Sequence, residues 1–184
     1  VIGTEEVFNY YETILKTGAV WSTDLNDKKS DFILHRIDCN INIEPGKCTS
    51  DGGLFSITCL NKSIELLKNG FSTHLITAPL SKKAVSYHVD NFIGHTEYLA
   101  DAFNTKSYSM MLANETFRVV LVTTHVSIAE LPKQITKDKV KYAVINSFNF
   151  LNNINDDRGI AVCALNPHAG ENGLLGKEEI NIIN

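Results

Sequence analysis

Three of the chain's six histidines stand where an imidazole could do chemistry: His95 in IGHTEYLAD, His125 in LVTTHVSIAELP and His168 in LNPHAGENG. Each follows a short apolar run or a turn. A neutral imidazole offers a nitrogen donor to a divalent metal, and its pKa near neutrality lets it exchange a proton. The run around His168 is the most pointed of the three. Pro167 blocks further ladder pairing, and Gly170 and Gly173 allow backbone geometries closed to other residues. In open α/β sheets, loops leaving the C-terminal ends of parallel strands collect ligand-binding residues, so His125 and His168 could converge despite their distance in sequence. Spacing alone leaves the other reading open, in which each is a hydrogen-bonded turn histidine. No local signature such as H-E-x-x-H joins them. Glu171 could support an imidazole from behind or face water. His35, His74 and His88 have no such context and read as ordinary. Lys82 and Lys83 in TAPLSKK could hold a phosphate, but read better as a solvated turn. The sequence carries no G-x-G-x-x-G, no Walker loop and no Ser or Cys nucleophile motif, so a bound nucleotide would sit outside the two commonest fingerprints.

The elements that must position these side chains alternate between helix and strand. Val1-Ile2-Gly3 reads as the tail of a strand running into a helix. SITCLNKSIELLKNG places Ile57, Leu60, Ile64 and Leu67 on one helical face, closed by Gly70 at a position that C-caps favour. THLITAP reads as a strand ended by Pro79, and HTEYLADAF as a short helix with Thr96 as N-cap. SYSMMLA and FRVVLVTT read as two strands of a hairpin turning at Asn114-Glu115-Thr116, with Met110 and Met111 in the core. TKDKVKYAVINSFNFLNNI is a helix with Val140, Ala143, Val144, Ser147, Phe148 and Leu151 along one side. GIAVCAL is the strand that leads to His168. Helices interleaved with apolar strands imply a layered α/β fold with a largely parallel sheet. The polar segment 22–52 reads as a hairpin excursion.

At 184 residues the chain is one good-sized domain or parts of two. Its 43% apolar and 21% charged content is too apolar for disorder. The net charge of −4 and the lack of a basic patch argue against nucleic acid as partner. No apolar run is long enough to span a bilayer. The four cysteines lack a C-x-x-C pair, which argues for reduced thiols in a cytoplasmic setting, with Cys59 and Cys163 buried. Both ends read as cut: the chain opens without methionine or signal peptide, and GKEEINIIN stops where an amphipathic helix would begin, with Glu178 and Glu179 suited to its positive first turn.

TAPLSKKAV, GHTEYLAD, MMLANETFRVVLVTTHVSIAELP and LNPHAGENGLLGKEEI occur in this order, and together they resemble the 4-hydroxythreonine-4-phosphate dehydrogenase family of vitamin B6 biosynthesis. The similarity runs from about residue 55 to the end and more loosely back to Val1. The resemblance implies a three-layer α/β/α fold like that of isocitrate and isopropylmalate dehydrogenases, with two lobes around a cleft, incomplete in this chain. Residues 1–84 would belong to the first lobe and 85–184 to the second, which would carry the histidines. It implies a homodimer with active sites at the subunit interface, NAD or NADP as cofactor, and one divalent cation (zinc, magnesium or cobalt). The implied reaction oxidises a secondary alcohol beside a phosphate, with subsequent loss of CO₂. Alternatives are a related dehydrogenase of four-carbon sugar-acid phosphates, or an inactive piece that only binds metal or dimerises.

The resemblance assigns roles by motif. GHTE makes His95 and Thr96 substrate contacts, TTH makes His125 a metal ligand, and NPHAGE makes His168 a second ligand. The third ligand of the family lies in a Tyr-His-Asp-Gln motif, and no such motif occurs in these 184 residues. The family's later lysine, asparagine and arginine that hold substrate are missing too.

Overall fold

Thr4 begins the first helix by the usual N-cap device: extended backbone, with a hydroxyl that accepts from the Val7 N–H. The computed structural model describes residues 1–42 and 44–184, and these form two compact units, Val1–Ala102 and Phe103–Asn184. In the first unit β1 (Ile2–Gly3) leads into α1 (Glu5–Leu15), as the sequence implied, and the short strands β2 (Trp21–Ser22), β3 (Phe32–Ile33) and β4 (His35–Arg36) follow. Both ladders here are parallel, β1 with β4 and β2 with β3. The described residues of the segment 22–52 therefore do not form a hairpin: β3 runs alongside β2 rather than back against it.

The long helix α2 (Ser50–Lys68) starts at the Thr49 cap and ends in a Schellman turn, where Phe71 N–H reaches Leu66 C=O and Gly70 N–H reaches Leu67 C=O with Gly70 at φ +73°. Its apolar face is the one the spacing predicted: Ile57, Leu60 and Ile64 are buried and form the core with Val85, which is fully inaccessible. Burying four such side chains stabilises this unit by roughly 1.5–3 kcal/mol each before entropy is counted. Val85 comes from α3 (Lys82–Val85), so Lys82 and Lys83 sit on a helical turn capped by the Ser81 hydroxyl rather than in an open turn. Then comes α4 (His95–Ala102). Thr96 lies inside its first turn and is not the N-cap, because Gly94 C=O already accepts from Tyr98 N–H.

In the second unit β5 (Met110–Ala113) and β6 (Arg118–Leu121) form the expected antiparallel hairpin. Asn114 Oδ1 closes its turn by accepting from the Thr116 and Phe117 backbone N–H groups. Met110 and Met111 are half-buried. A short helix, α5 (Leu131–Gln134), precedes α6 (Lys137–Asn153), which Thr136 caps. Val140 and Ala143 are buried as predicted, but Phe148 is 56% exposed, so the buried stripe of α6 is narrower than the apolar one. Asn155 takes the left-handed position that ends α6, with Asp156 N–H on Leu151 C=O.

Two expected strands are absent among the described residues. Thr73–Pro79 and 159–165 have no ladder partner, Ile76 is 97% exposed, and Cys163 is exposed rather than buried. An apolar run signals a preference for burial. A strand also needs a neighbour whose N–H and C=O groups meet its own. In place of one largely parallel sheet, these residues form three two-stranded ladders.

Asp156 ties the end of α6 to β6. It accepts from Arg118 Nη1 at 3.0 Å and Arg158 Nη2 at 2.6 Å, with its side chain only 14% exposed. The Arg158 hydrogen bond, aided by both positive charges, holds its carboxyl well below the ordinary value of 3.8. A depressed carboxylate stabilises the fold above its unfolded pKa and loses that effect as pH falls through the folded value. The Asp156 carboxyl carbon should therefore show no NMR titration near pH ~4, and Arg158→Ala should bring the titration back up toward that range.

Candidate functional site

In the first unit the site is organised by α4. Tyr98 packs against the core, and its hydroxyl donates to Asn61 Oδ1 at 2.7 Å, pinning α4 to α2. His95, at the helix start, lines a cavity of about 690 Å³ shared with His35, Cys59, Phe71, His74 and Ile76. The wall is largely apolar, and its polar members are specific. His35 Nε2 is buried with no hydrogen-bond partner among the described residues, and its ring stands edge-on to Phe71 at 4.9 Å. His74 Nδ1 lies 2.8 Å from Thr73 Oγ1. Sequence reasoning set both histidines aside, and no local signal could have retrieved them: β4 and the segment after α2 meet only through tertiary packing. Lys82 was also set aside. Its Nζ lies 3.9 Å from where a Cβ on Gly94 would stand, with Glu97 Oε2 at 3.4 Å, so one cation and one anion flank the residue before His95.

Cys59 belongs to this wall. Burial, with a smaller effect from neighbouring Cys39, pushes its thiol up to about 11, while Cys48 and Cys163 are exposed. The thiolate is the reactive form. Iodoacetamide at neutral pH should alkylate Cys48 and Cys163 first and Cys59 last, as read by peptide mass spectrometry.

In the second unit His125 lies beyond the end of β6, exposed, with φ +55°. His168 opens a left-handed turn. From His168 to Asn172 the φ values are 51°, 52°, 76°, 44° and 54°, and only Gly170 takes this region freely. His168, Ala169 and Glu171 each cost roughly 1–2 kcal/mol there, so the turn persists only because its surroundings hold it. Both rings lack a hydrogen-bond or ion-pair partner among the described residues. The structure places each histidine on a loop. Among the described residues it assembles no group of three or more His, Cys, Asp or Glu placed to hold a metal. Glu171 is exposed.

The carboxylates that do engage this loop are Glu178 and Glu179. Glu179 is 4% exposed; it accepts from Leu165 N–H at 2.8 Å, Asn166 N–H at 2.7 Å and Asn166 Nδ2 at 3.0 Å. Glu178 accepts from the same Asn166 amide at 2.8 Å. These hydrogen bonds, the Asn166 side chain first, hold both carboxyls below their ordinary value of 4.5. The GKEEINIIN segment thus forms a single π-type turn, Glu179–Ile183, whose leading carboxylate caps a different loop rather than its own helix.

The whole chain, residues 1–184, matches the family described as pyridoxal phosphate biosynthetic protein PdxA. The 4-hydroxythreonine-4-phosphate dehydrogenase of Pseudoalteromonas translucida is 37% identical over 152 residues, 82% of this chain and 46% of the relative. That of Bacteroides thetaiotaomicron is 31% identical over 193 aligned positions, 100% of this chain and 52% of the relative. The D-threonate 4-phosphate dehydrogenase of Pectobacterium atrosepticum is 34% identical over 142 residues, 77% of this chain and 44% of the relative. Among solved structures, 4-hydroxythreonine-4-phosphate dehydrogenase from Klebsiella pneumoniae superposes with a TM-score of 0.85 at 28% identity, covering 100% of this chain and 58% of that one. The chain spans about half the length of the curated relatives it matches. It has the α/β fold of these neighbours, and no helix among the described residues is long and apolar enough to cross a membrane.

Proposed function

The chain belongs to the PdxA family of pyridoxal phosphate biosynthetic proteins, and on that premise we propose that the whole protein is a dehydrogenase dependent on NAD or NADP and a divalent cation. It oxidises 4-phosphooxy-L-threonine to 2-amino-3-oxo-4-phosphooxybutanoate, which decarboxylates to 3-amino-2-oxopropyl phosphate. The family match over the full chain carries this reading. The same proposal includes a cytoplasmic homodimer with active sites at the subunit interface.

The donor chemistry fits. His125 and His168 are exposed on loops with no partner among the described residues competing for their nitrogens, as neutral metal ligands require. They would hold the cation, zinc, magnesium or cobalt. When bound, the cation would supply Lewis acidity toward the alcohol and the ketone formed from it, and the nicotinamide would supply a hydride acceptor. The chain's own residues do the positioning. His95 and Thr96, on the first turn of α4, contact the substrate, and the helix carries them as one rigid piece because Tyr98 anchors it. Lys82, which flanks Gly94 together with Glu97, would supply the cation for the phosphate end.

Relatives named for D-threonate 4-phosphate stand at similar identity to those named for 4-hydroxythreonine 4-phosphate, and this favours keeping the four-carbon sugar-acid phosphates as the second reading. Reduced-nicotinamide formation should be measured with the whole protein on 4-phosphooxy-L-threonine and on threonate and erythronate 4-phosphates, with NAD and with NADP. We expect the highest kcat/KM on the amino-acid substrate and its loss after metal chelation. A reversed substrate order selects the second reading, and no turnover on any of them leaves the inactive-piece reading.

A further inference from the structure

We propose that Glu179 is a positioning residue for His168; this rests on the reading of His168 as a metal ligand. A ligating histidine ordinarily gives its second ring nitrogen to a carboxylate or carbonyl, which fixes the ring. His168 has no such partner among the described residues, and Glu171, the nearest carboxylate in sequence, faces solvent. The ring must therefore be aimed through its backbone, and Glu179 binds that backbone ahead of the histidine and lies beside it behind. Ahead of the histidine, Oε1 receives both the Leu165 and Asn166 N–H groups, while Oε2 receives the Asn166 side-chain amide. Behind it, Gly170 packs so closely that a Cβ there would stand 2.9 Å from Glu179 Oε2 and 2.8 Å from Gly176 O. Gly176 in turn leaves no room for a Cβ against Asn166 Nδ2, and one would lie 2.6 Å from Glu178 Oε2. Leu175 N–H completes the enclosure on Gly170 C=O at 3.0 Å. The left-handed turn that carries His168 is thus held at its entry by one buried carboxylate, which also fills the space beside Gly170 at its middle.

The role predicts a specific order of variants. Glu179→Gln keeps one oxygen for the two backbone donors. Glu179→Asp is one methylene short of both, and Glu179→Ala has no acceptor. On the full chain, hydrogen exchange at the Leu165 and Asn166 amides should stay near wild type in E179Q and rise at least about tenfold in E179A. Cobalt(II), used alone as the probe and followed by calorimetry, should bind E179Q within a few-fold of wild type. It should bind E179D more weakly, and E179A about tenfold or more weakly, the range seen when a ligand's supporting group is removed. His168→Ala alone should weaken cobalt at least as far as E179A while leaving exchange at the Leu165 and Asn166 amides near wild type, because the ring lies downstream of the backbone contact. A merely structural glutamate would weaken cobalt to the same extent in E179Q and E179D, in step with the thermal midpoint, and that result overturns the proposal. So does unchanged exchange at the two amides in E179A, whatever the metal does. If E179A fails to fold, the Gln-over-Asp order carries the test, and equal or reversed affinities overturn it. Unchanged cobalt binding in His168→Ala alone overturns the ligand reading, and the positioning role falls with it.

Discussion

Gly53→Ala should destabilise the first unit by about 3 kcal/mol or more, the upper range for forcing extra volume into a packed core. Gly53 is buried in α2, and a Cβ there would fall deep inside van der Waals contact with the Ala84 carbonyl and 3.0 Å from Val85 N. These neighbours are backbone, so no side chain can swing aside. α2 and α3 would have to separate, and the core of Ile57, Leu60, Ile64 and Val85 would open. The fall in Tm should be on the order of 10–20 °C by circular dichroism. Gly52→Ala is the control. Among the described residues its Cβ would meet only the Thr49 hydroxyl, at 3.2 Å, and alanine is the better helix former, so the change should be small. Equal losses in the two variants would refute the close-packing account of α2 against α3.

The second large effect concerns the histidines, in the whole protein. His125→Ala or His168→Ala should reduce turnover by more than about 100-fold, since removing even a group behind a metal ligand costs 10–100-fold. Both should lose bound metal while keeping their thermal midpoint, because the exposed rings contribute little to any core. His95→Ala should keep its metal and lose kcat/KM, because the proposed role of His95 is toward substrate. Metal content, midpoint and reduced-nicotinamide formation measured together separate these outcomes from plain destabilisation. A His95 variant without metal, or a His168 variant with both metal and activity, would reverse the assignment of roles.

Much of this molecule is written locally. The Ile57, Leu60, Ile64 stripe announced α2, and Gly70 its end, because helix faces and Schellman caps depend on residues within one or two turns of each other. The β5–β6 hairpin was equally plain, since its turn is closed by the side chain of Asn114 itself. The ordered motifs around His95, His125 and His168 were sufficient to indicate the family that the whole-chain match then gave. Long-range pairing left no such mark. THLITAP and GIAVCAL have strand composition, yet a ladder is a property of two segments, and the second is not encoded in the first. His35 and His74 reach the cavity beside His95 only because a ladder and a helix end meet there. Glu179 reads in sequence as a carboxylate for its own helix. Tertiary structure alone turned it onto the backbone ahead of His168, because a buried carboxylate goes where unpaired N–H groups are, and here those belong to Leu165 and Asn166.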